Sequence, residues 1–325
     1  MAPSPPAPAT AGEPAIELRE VSKAFGKNQA VDQVSLTVPR GSIYGFIGPN
    51  GSGKTTTLRM VMNLFYPDRG TIRILGQAGH GPVTDRVGYL PEERGLYRRM
   101  KVREVLRYYG ELKAGRNLRR EVDEWLERFG LTACAQQKVE TLSKGMSQKV
   151  QFIATVVSGP ELLILDEPFS GLDPVNAEAI KAAILELRAR GATIVLSTHD
   201  MTVAERMCDF IFMIFRGRKV LDGTLAAIQD QYGLDTLRVG VEGGAAMLQG
   251  LPGVEDVNDS GQVQVLRLAR GADPQAVLVE LVRRTRVHRF EIARPSLHDI
   301  FVRIAGPGAV NPMARETVAA TPSPA

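Results

Sequence analysis

The chain has 325 residues and a mass of 35.4 kDa, enough for one large domain and a small one. Its 44% hydrophobic and 23% charged residues are ordinary for a soluble globular protein, and a net charge of +4 permits contact with nucleic acid or a membrane surface without arguing for either. Cys134 and Cys208 lie far apart without metal-type spacing, which speaks against a disulfide framework or a zinc site, and no apolar run approaches the roughly 20 residues that span a bilayer.

The N-terminal "MAPSPPAPATAGEPA" has no basic start and no apolar stretch, so it is not a signal peptide. Its Pro/Ala content makes residues 1–14 an expected disordered tail, with 306–325 as its counterpart. Next, "AIELREVSKAF" and "AVDQVSLTVPRG" alternate apolar and polar residues, as antiparallel strands with one wet face do. "SIYGFIG" is almost continuously apolar and reads as a strand buried on both faces. After a glycine loop, "KTTTLRMVMNLF" carries Leu58, Val61, Met62 and Phe65 at helical spacing. From about 93 to 159 the pattern is helical and rich in arginine. "ELLILDEP" and "ATIVLSTHD" are short apolar runs flanked by helix-like segments, which is βαβ logic with a parallel sheet, and "MCDFIFMIF", short and interrupted by Asp209, reads as a buried strand.

A first domain is therefore expected over 15–235 and a small α/β domain over 236–305. In the latter, "TLRVGVEG", "QVQVLRLA" and "VHRFEIAR" read as strands, while "PQAVLVELVRRT" and "PSLHDIFVRIAG" read as helices. The order approximates βαββαβ, so a ferredoxin-like arrangement is the expectation.

The loop "GPNGSGKT" comprises Gly48, Pro49, Asn50, Gly51, Ser52, Gly53, Lys54 and Thr55, followed by Thr56. It fits G-x-x-x-x-G-K-[ST] and lies between a strand and a helix, the context that motif requires. Glycines let backbone N–H groups wrap phosphates, Lys54 reaches the same oxygens, and the Thr55 hydroxyl can ligate Mg²⁺. Downstream, the apolar strand "LLILD" ends in Asp166, a carboxylate able to hold the Mg²⁺ shell. Glu167 follows it and can polarise a water that attacks the γ-phosphate.

Between these motifs lies "LSKGMSQKV", and after them come "SGLD" and "STHD". In this order they resemble the nucleotide-binding subunit of an ATP-binding cassette transporter, from about Ile16 to Gly223. The resemblance implies a P-loop cassette of α/β class: a mixed core sheet, an antiparallel β subdomain and a helical subdomain. It implies that Phe25 stacks on adenine, although core packing is an equal reading for that ring. It implies that Ser143 and Gly145 meet the γ-phosphate of ATP held by a second copy, that Asp173 couples the two sites, and that His199 contacts the γ-phosphate. His80, His288 and His298 have no such context and read as surface or packing residues.

Two segments depart from the family pattern. Lys144 and Met146 replace the first glycine and the glutamine of the usual LSGGQ, with Lys144 adding positive charge near the nucleotide. In "GYLPEERGLY", Glu92 stands where a glutamine is usual; it can ligate Mg²⁺, or it caps a turn. This segment and the closing "RPSLHDIFVRI" are similar to the ATPase subunits of two-component exporters of the sodium-efflux and antibiotic-resistance type. The arginine-rich stretch from Arg94 to Arg120 reads as a solvated helix face or, by the resemblance, as the region that docks a membrane partner.

The expectation is an ATPase subunit that uses ATP and Mg²⁺ in a head-to-tail dimer to power export through a separate transmembrane permease. It would lie in the cytoplasm, peripheral on the inner face of the membrane, with no nucleic acid as partner. The alternative is a soluble cassette ATPase acting on nucleic acid or the ribosome. This chain has one cassette, and it lacks both the paired cassettes and the long coiled coil of such proteins. A ligand-sensing role for the C-terminal domain is compatible with transport.

Overall fold

The computed structural model describes residues 13–78, 85–93, 95–233, 235–259, 261, 263–269 and 271–306. The expectations for His80, for Arg94 and for nearly all of both tails lie outside these residues. Glu13, grouped above with the N-terminal tail, is described, and its carbonyl accepts from Arg40 Nε at 2.9 Å. No helix among the described residues is long and apolar enough to cross a membrane.

The chain divides into two compact units between Gly223 and Thr224. The first contains β1 (Ile16–Phe25), β2 (Asn28–Val38), β3 (Ile43–Ile47), α1 (Lys54–Val61), β4 (Arg69–Ile74), β5 (Gln77–Ala78) and β6 (Val87–Leu90). Then come α2 (Val102–Ala114), α3 (Arg119–Arg128), α4 (Lys144–Val156), β7 (Leu162–Asp166), α5 (Pro174–Ala189), β8 (Thr193–Thr198), α6 (Met201–Met207), β9 (Phe210–Phe215) and β10 (Arg218–Gly223). The second unit contains α7 (Leu225–Tyr232), β11 (Thr236–Val241), β12 (Val254–Asp259), β13 (Gln264–Leu268), α8 (Pro274–Arg284), β14 (Val287–Ala293) and α9 (Leu297–Ala305).

Among the described residues the central sheet of the first unit runs β10-β9-β3-β8-β7-β6, parallel except for the β10 edge. Every residue of β3, β7 and β8 is buried, as apolar strands covered on both faces must be. Period-two alternation sorts their side chains. Ile43, Leu163, Leu165, Ile194 and Leu196 face a core shared with α2, α3 and α4. Tyr44, Phe46, Leu162, Ile164 and Val195 face the opposite core, shared with α1 and the antiparallel sheet β2-β1-β4-β5. Each such side chain contributes about 1.5–3 kcal/mol by leaving water, so the sheet is clamped from both sides and its carboxyl edge is a fixed platform.

The first helix is shorter than its periodicity predicts. It ends at Val61, and Asn63 adopts φ +55°, the left-handed turn that commonly closes a helix. Phe65 therefore leaves the helical face and packs edge-on against Phe25, with ring centroids 5.4 Å apart.

In the second unit the sheet order is β12-β13-β11-β14, and every described neighbour pair is antiparallel. That is the strand order of the βαββαβ arrangement expected from the sequence. The first crossover differs: it is a short 3₁₀ turn over Gly244–Leu248, where glycines prevent a full helix. Leu237, Val239, Leu266, Val277 and Leu281 form this unit's own core. Helix α7 belongs to this unit by contact, so the division falls twelve residues before the position 235 expected from texture, since Ile228 gives α7 an apolar face of its own.

Candidate functional site

Four adjacent parallel strands, in the order β3-β8-β7-β6, each deliver a candidate residue just beyond their carboxyl ends. The glycine loop follows β3, His199 follows β8, Glu167 follows β7, and Glu92 lies two residues beyond β6. Register fixes this alignment, because Ile47 pairs with Thr198 and Asp166 with Ser197. In parallel sheets the carboxyl edge is where ligands bind.

A cleft of about 530 Å³ opens at this edge. Its walls include Phe25, Asn50, Gly51, Gly53, Lys54, Thr55, Thr56, Glu92 and Glu167, so the structure gathers these sequence-derived candidates into one place. The loop is stitched from both sides: Gly217 N donates to Ser52 O at 2.9 Å, and a Cβ on Gly53 would lie 2.5 Å from Ala30 O. Phe25 is 44% exposed, with Lys23 Nζ 5.6 Å from its ring centroid. A ring this open toward a cleft has a free face on which a flat base can stack.

Lys54 is 6% exposed, and its Nζ donates to Gly48 O at 2.6 Å and Pro49 O at 3.2 Å. Burial holds its pKa below the usual value, and the charges of Glu167, Asp166 and Glu92 partly oppose that shift. Asp166 is fully buried, and neither carboxylate oxygen has a hydrogen-bond partner among the described residues. A buried unpaired carboxylate is costly, so this position calls for a cation. Thr55, Asp166 and Glu92 together supply the hard oxygen donors that suit Mg²⁺, and the site fits that ion by donor chemistry. Ser52 Oγ and Ser197 Oγ are also buried without partners among the described residues.

Glu167 is 7% exposed and has φ +48°, an uncommon conformation for a non-glycine residue that aims its side chain off the strand direction. Its Oε1 lies 2.8 Å from His199 Nδ1, and its backbone N donates to Ser197 O at 3.0 Å.

Ser143, Lys144, Gly145, Met146 and Asp173 do not line this cleft. Ser143 caps α4, accepting from Met146 N at 3.2 Å, and Asp173 caps α5, accepting from Asn176 N at 3.0 Å. Those bonds from Asn176 hold the Asp173 pKa below its usual value. Lys144 folds its ammonium over Gly171, so the signature segment and the "SGLD" turn touch each other.

Sequence reasoning missed Arg216, Gly217 and the stretch Asn28–Ala30, which complete the cleft wall. The signal in the sequence is the Arg216-Gly217 pair after an apolar run, a hairpin turn that the structure confirms with φ +50° at Arg216. In the arginine-rich stretch, Arg103, Arg107, Arg116 and Arg120 each pair with a nearby carboxylate. Tyr97, Tyr108 and Leu112 are exposed beside them. His288 and His298 are exposed, in keeping with their surface reading.

Residues 31–170 match the ABC transporter family, and residues 223–305 match the C-terminal domain of DrrA1-3-like ATP-binding proteins. YhaQ of Bacillus subtilis, described as an uncharacterised ABC transporter ATP-binding protein, is 39% identical over 293 residues, covering 90% of this chain and 98% of its own. Nod factor export ATP-binding protein I of Sinorhizobium fredii is 35% identical over 300 residues, covering 90% and 86%. A solved structure of an ATP-binding subunit of an ABC transporter is 31% identical, with a TM-score of 0.64 over 82% of this chain and 99% of that one.

Proposed function

This chain belongs to the ATP-binding subunits of ABC transporters, and from that premise we propose that it hydrolyses ATP to drive export through a separate transmembrane permease. The observation that carries the reading is the buried Glu167, held by His199 at the edge of the same cleft that Lys54 and the glycine loop line. Phe25 takes the adenine ring and the loop from Gly48 to Thr56 takes the polyphosphate. Lys54 exchanges its bonds to Gly48 O and Pro49 O for β- and γ-phosphate oxygens. Thr55, Asp166 and Glu92 would hold the Mg²⁺, which would neutralise charge on the phosphates. Glu167 accepts a proton from water as the water oxygen bonds to the γ-phosphorus, and the bond to the ADP oxygen breaks to give ADP and phosphate.

The position of Ser143, Gly145 and Asp173 outside the cleft supports a head-to-tail dimer. The start of α4, capped by Ser143, offers backbone N–H groups to the γ-phosphate bound by a second copy. The exposed aromatic and aliphatic side chains of Tyr97, Tyr108 and Leu112 suit docking to a permease, which supports a location at the inner membrane face. Export as the direction rests on the C-terminal domain match and on the Nod factor export relatives.

The test uses tagged Glu167→Gln protein in its native cell, recovered in mild detergent with ATP and Mg²⁺ and identified by mass spectrometry. A multi-spanning membrane protein at near one-to-one ratio supports the transporter reading. Recovery with ribosomes or nucleic acid and no membrane protein overturns it.

A further inference from the structure

The residue that follows each of the two cleft carboxylates is held by the same helix. Gln148 and Gln151 stand three positions apart on α4, on one face of it, and each is 4% exposed. Gln148 Nε2 donates to Pro168 O at 3.4 Å, and Pro168 follows Glu167. Gln151 Nε2 donates to Glu93 O at 3.1 Å, and Glu93 follows Glu92.

The chemistry of position 151 argues that this bond is its purpose. Among the described residues Gln151 Oε1 is buried with no hydrogen-bond partner, so half of the amide is desolvated without return. An apolar side chain of similar shape would pack there at lower cost, as Val150, Phe152 and Ile153 do beside it. What the amide adds is a single donor aimed at the Glu93 carbonyl. The apolar neighbours lock α4 in the core, so the two donors stand at a fixed spacing along a rigid rod. Glu92 and Glu93 have neither helix nor strand structure, and these loops need an external reference to hold their carboxylates in place.

We propose that Gln148 and Gln151 are positioning residues that set Glu167 and Glu92 in register across the cleft, acting through the carbonyls of Pro168 and Glu93. The proposal rests on the ATPase reading above. Because α4 starts at the capped Ser143 end, the rod that fixes both carboxylates is also the one that presents the signature segment.

The experiment measures steady-state ATP hydrolysis and ATP affinity for the full chain and its Gln148→Met and Gln151→Met variants. Displacing a catalytic group by a fraction of an ångström to 1 Å costs about 10- to 100-fold, so kcat should fall about tenfold in each while the ATP Kd stays within about twofold. The decisive readout is a double-mutant cycle with Glu92→Ala. Gln151→Met should cost nothing further in that background, because it acts through Glu92, whereas the loss from Gln148→Met should persist there. A Gln151→Met loss that multiplies with that of Glu92→Ala, or a wild-type kcat in Gln151→Met, overturns the proposal. If the methionine variant does not fold, Gln151→Ala runs through the same cycle. A wild-type chain that binds ATP without turnover sinks the ATPase reading itself, and this inference with it. Normal turnover with a multiplicative cycle sinks the inference alone.

Discussion

His199 Nδ1 lies 2.8 Å from Glu167 Oε1, joining residues that follow two different strands of the central sheet. A carboxylate only accepts hydrogen bonds, so Nδ1 is the donor and the ring's other nitrogen is left for a second partner. The imidazole is 57% exposed while the carboxylate is 9% exposed. The pair thus has a buried, oriented end and an open end, the arrangement of a base held by an orienting group.

Removal of that orienting bond should lower turnover without emptying the site. For His199→Ala we expect kcat to fall about 100-fold, toward the lower bound for losing general-base chemistry, with ATP affinity nearly intact. Glu167→Gln should fall further. Equal kcat in His199→Ala and wild type would show that His199 neither orients Glu167 nor meets the phosphate.

Lys54 separates binding from stability. Its burial disfavours the charged form, and because that term outweighs its three carboxylate neighbours, the folded pKa lies below 10.5. The unfolded chain therefore holds the proton more tightly than the folded one, so the charge costs stability below the folded pKa. That cost is relieved as pH rises toward 10.5. The wild-type Tm should accordingly rise relative to that of Lys54→Met as pH approaches 10.5. Lys54→Met should also lose the ligand-induced rise in Tm; at 100 times Kd, ATP stabilises the wild type by about 2.7 kcal/mol. Thermal melts with and without ATP across pH check both claims, and an ATP-dependent shift retained in Lys54→Met contradicts the phosphate-loop role.

Arg216 lines the cleft from the β9–β10 turn, and among the described residues no carboxylate lies within ion-pair distance of it. Its guanidinium is 5.0 Å from the Phe215 ring centroid, and its neighbour Gly217 is bonded to the phosphate loop through Ser52 O. A charged hydrogen bond to a bound phosphate or ribose contributes about 1.5 kcal/mol, or roughly tenfold in Kd. Arg216→Ala should therefore raise the Kd for ATP about tenfold with kcat unchanged. Titration calorimetry that returns the wild-type Kd would place the side chain outside the nucleotide contacts.

What the sequence made legible was the chemistry carried by short contiguous motifs. Asp166, Glu167 and His199 each sit at a strand end, which an apolar run followed by a loop marks in any chain, and Lys54 and Thr55 open the helix that follows the glycine loop. Arg216, Gln29 and Ala30 were not legible, because the first arrives through the pairing of β9 with β3 and the other two come from the separate antiparallel sheet, both tertiary facts. Phe65 was misplaced because periodicity cannot see that Asn63 turns left-handed. The carbonyl bonds from Gln148 and Gln151 were hidden for a similar reason: a polar residue on a helix reads as solvent-facing until the tertiary fold buries it.

The glycines of the loop should differ sharply from one another. A Cβ on Gly48, where φ is +154°, would overlap the Ile214 carbonyl oxygen of β9, a backbone atom that cannot swing away, and would crowd Ser52 Oγ at 2.8 Å. Gly51 has φ +76° and nothing within 4 Å of a Cβ, so alanine there meets only the intrinsic cost of a left-handed residue, about 1–2 kcal/mol. Gly48→Ala must move either β9 or the loop. We expect it to lower Tm by more than Gly51→Ala and to lose ATP binding, whereas Gly51→Ala should keep ATP binding with a small fall in Tm. Two melts and two titrations decide the matter. Equal effects would mean that the loop is flexible enough to relieve the Gly48 contact, and that its shape is set by bound phosphate and not by β9.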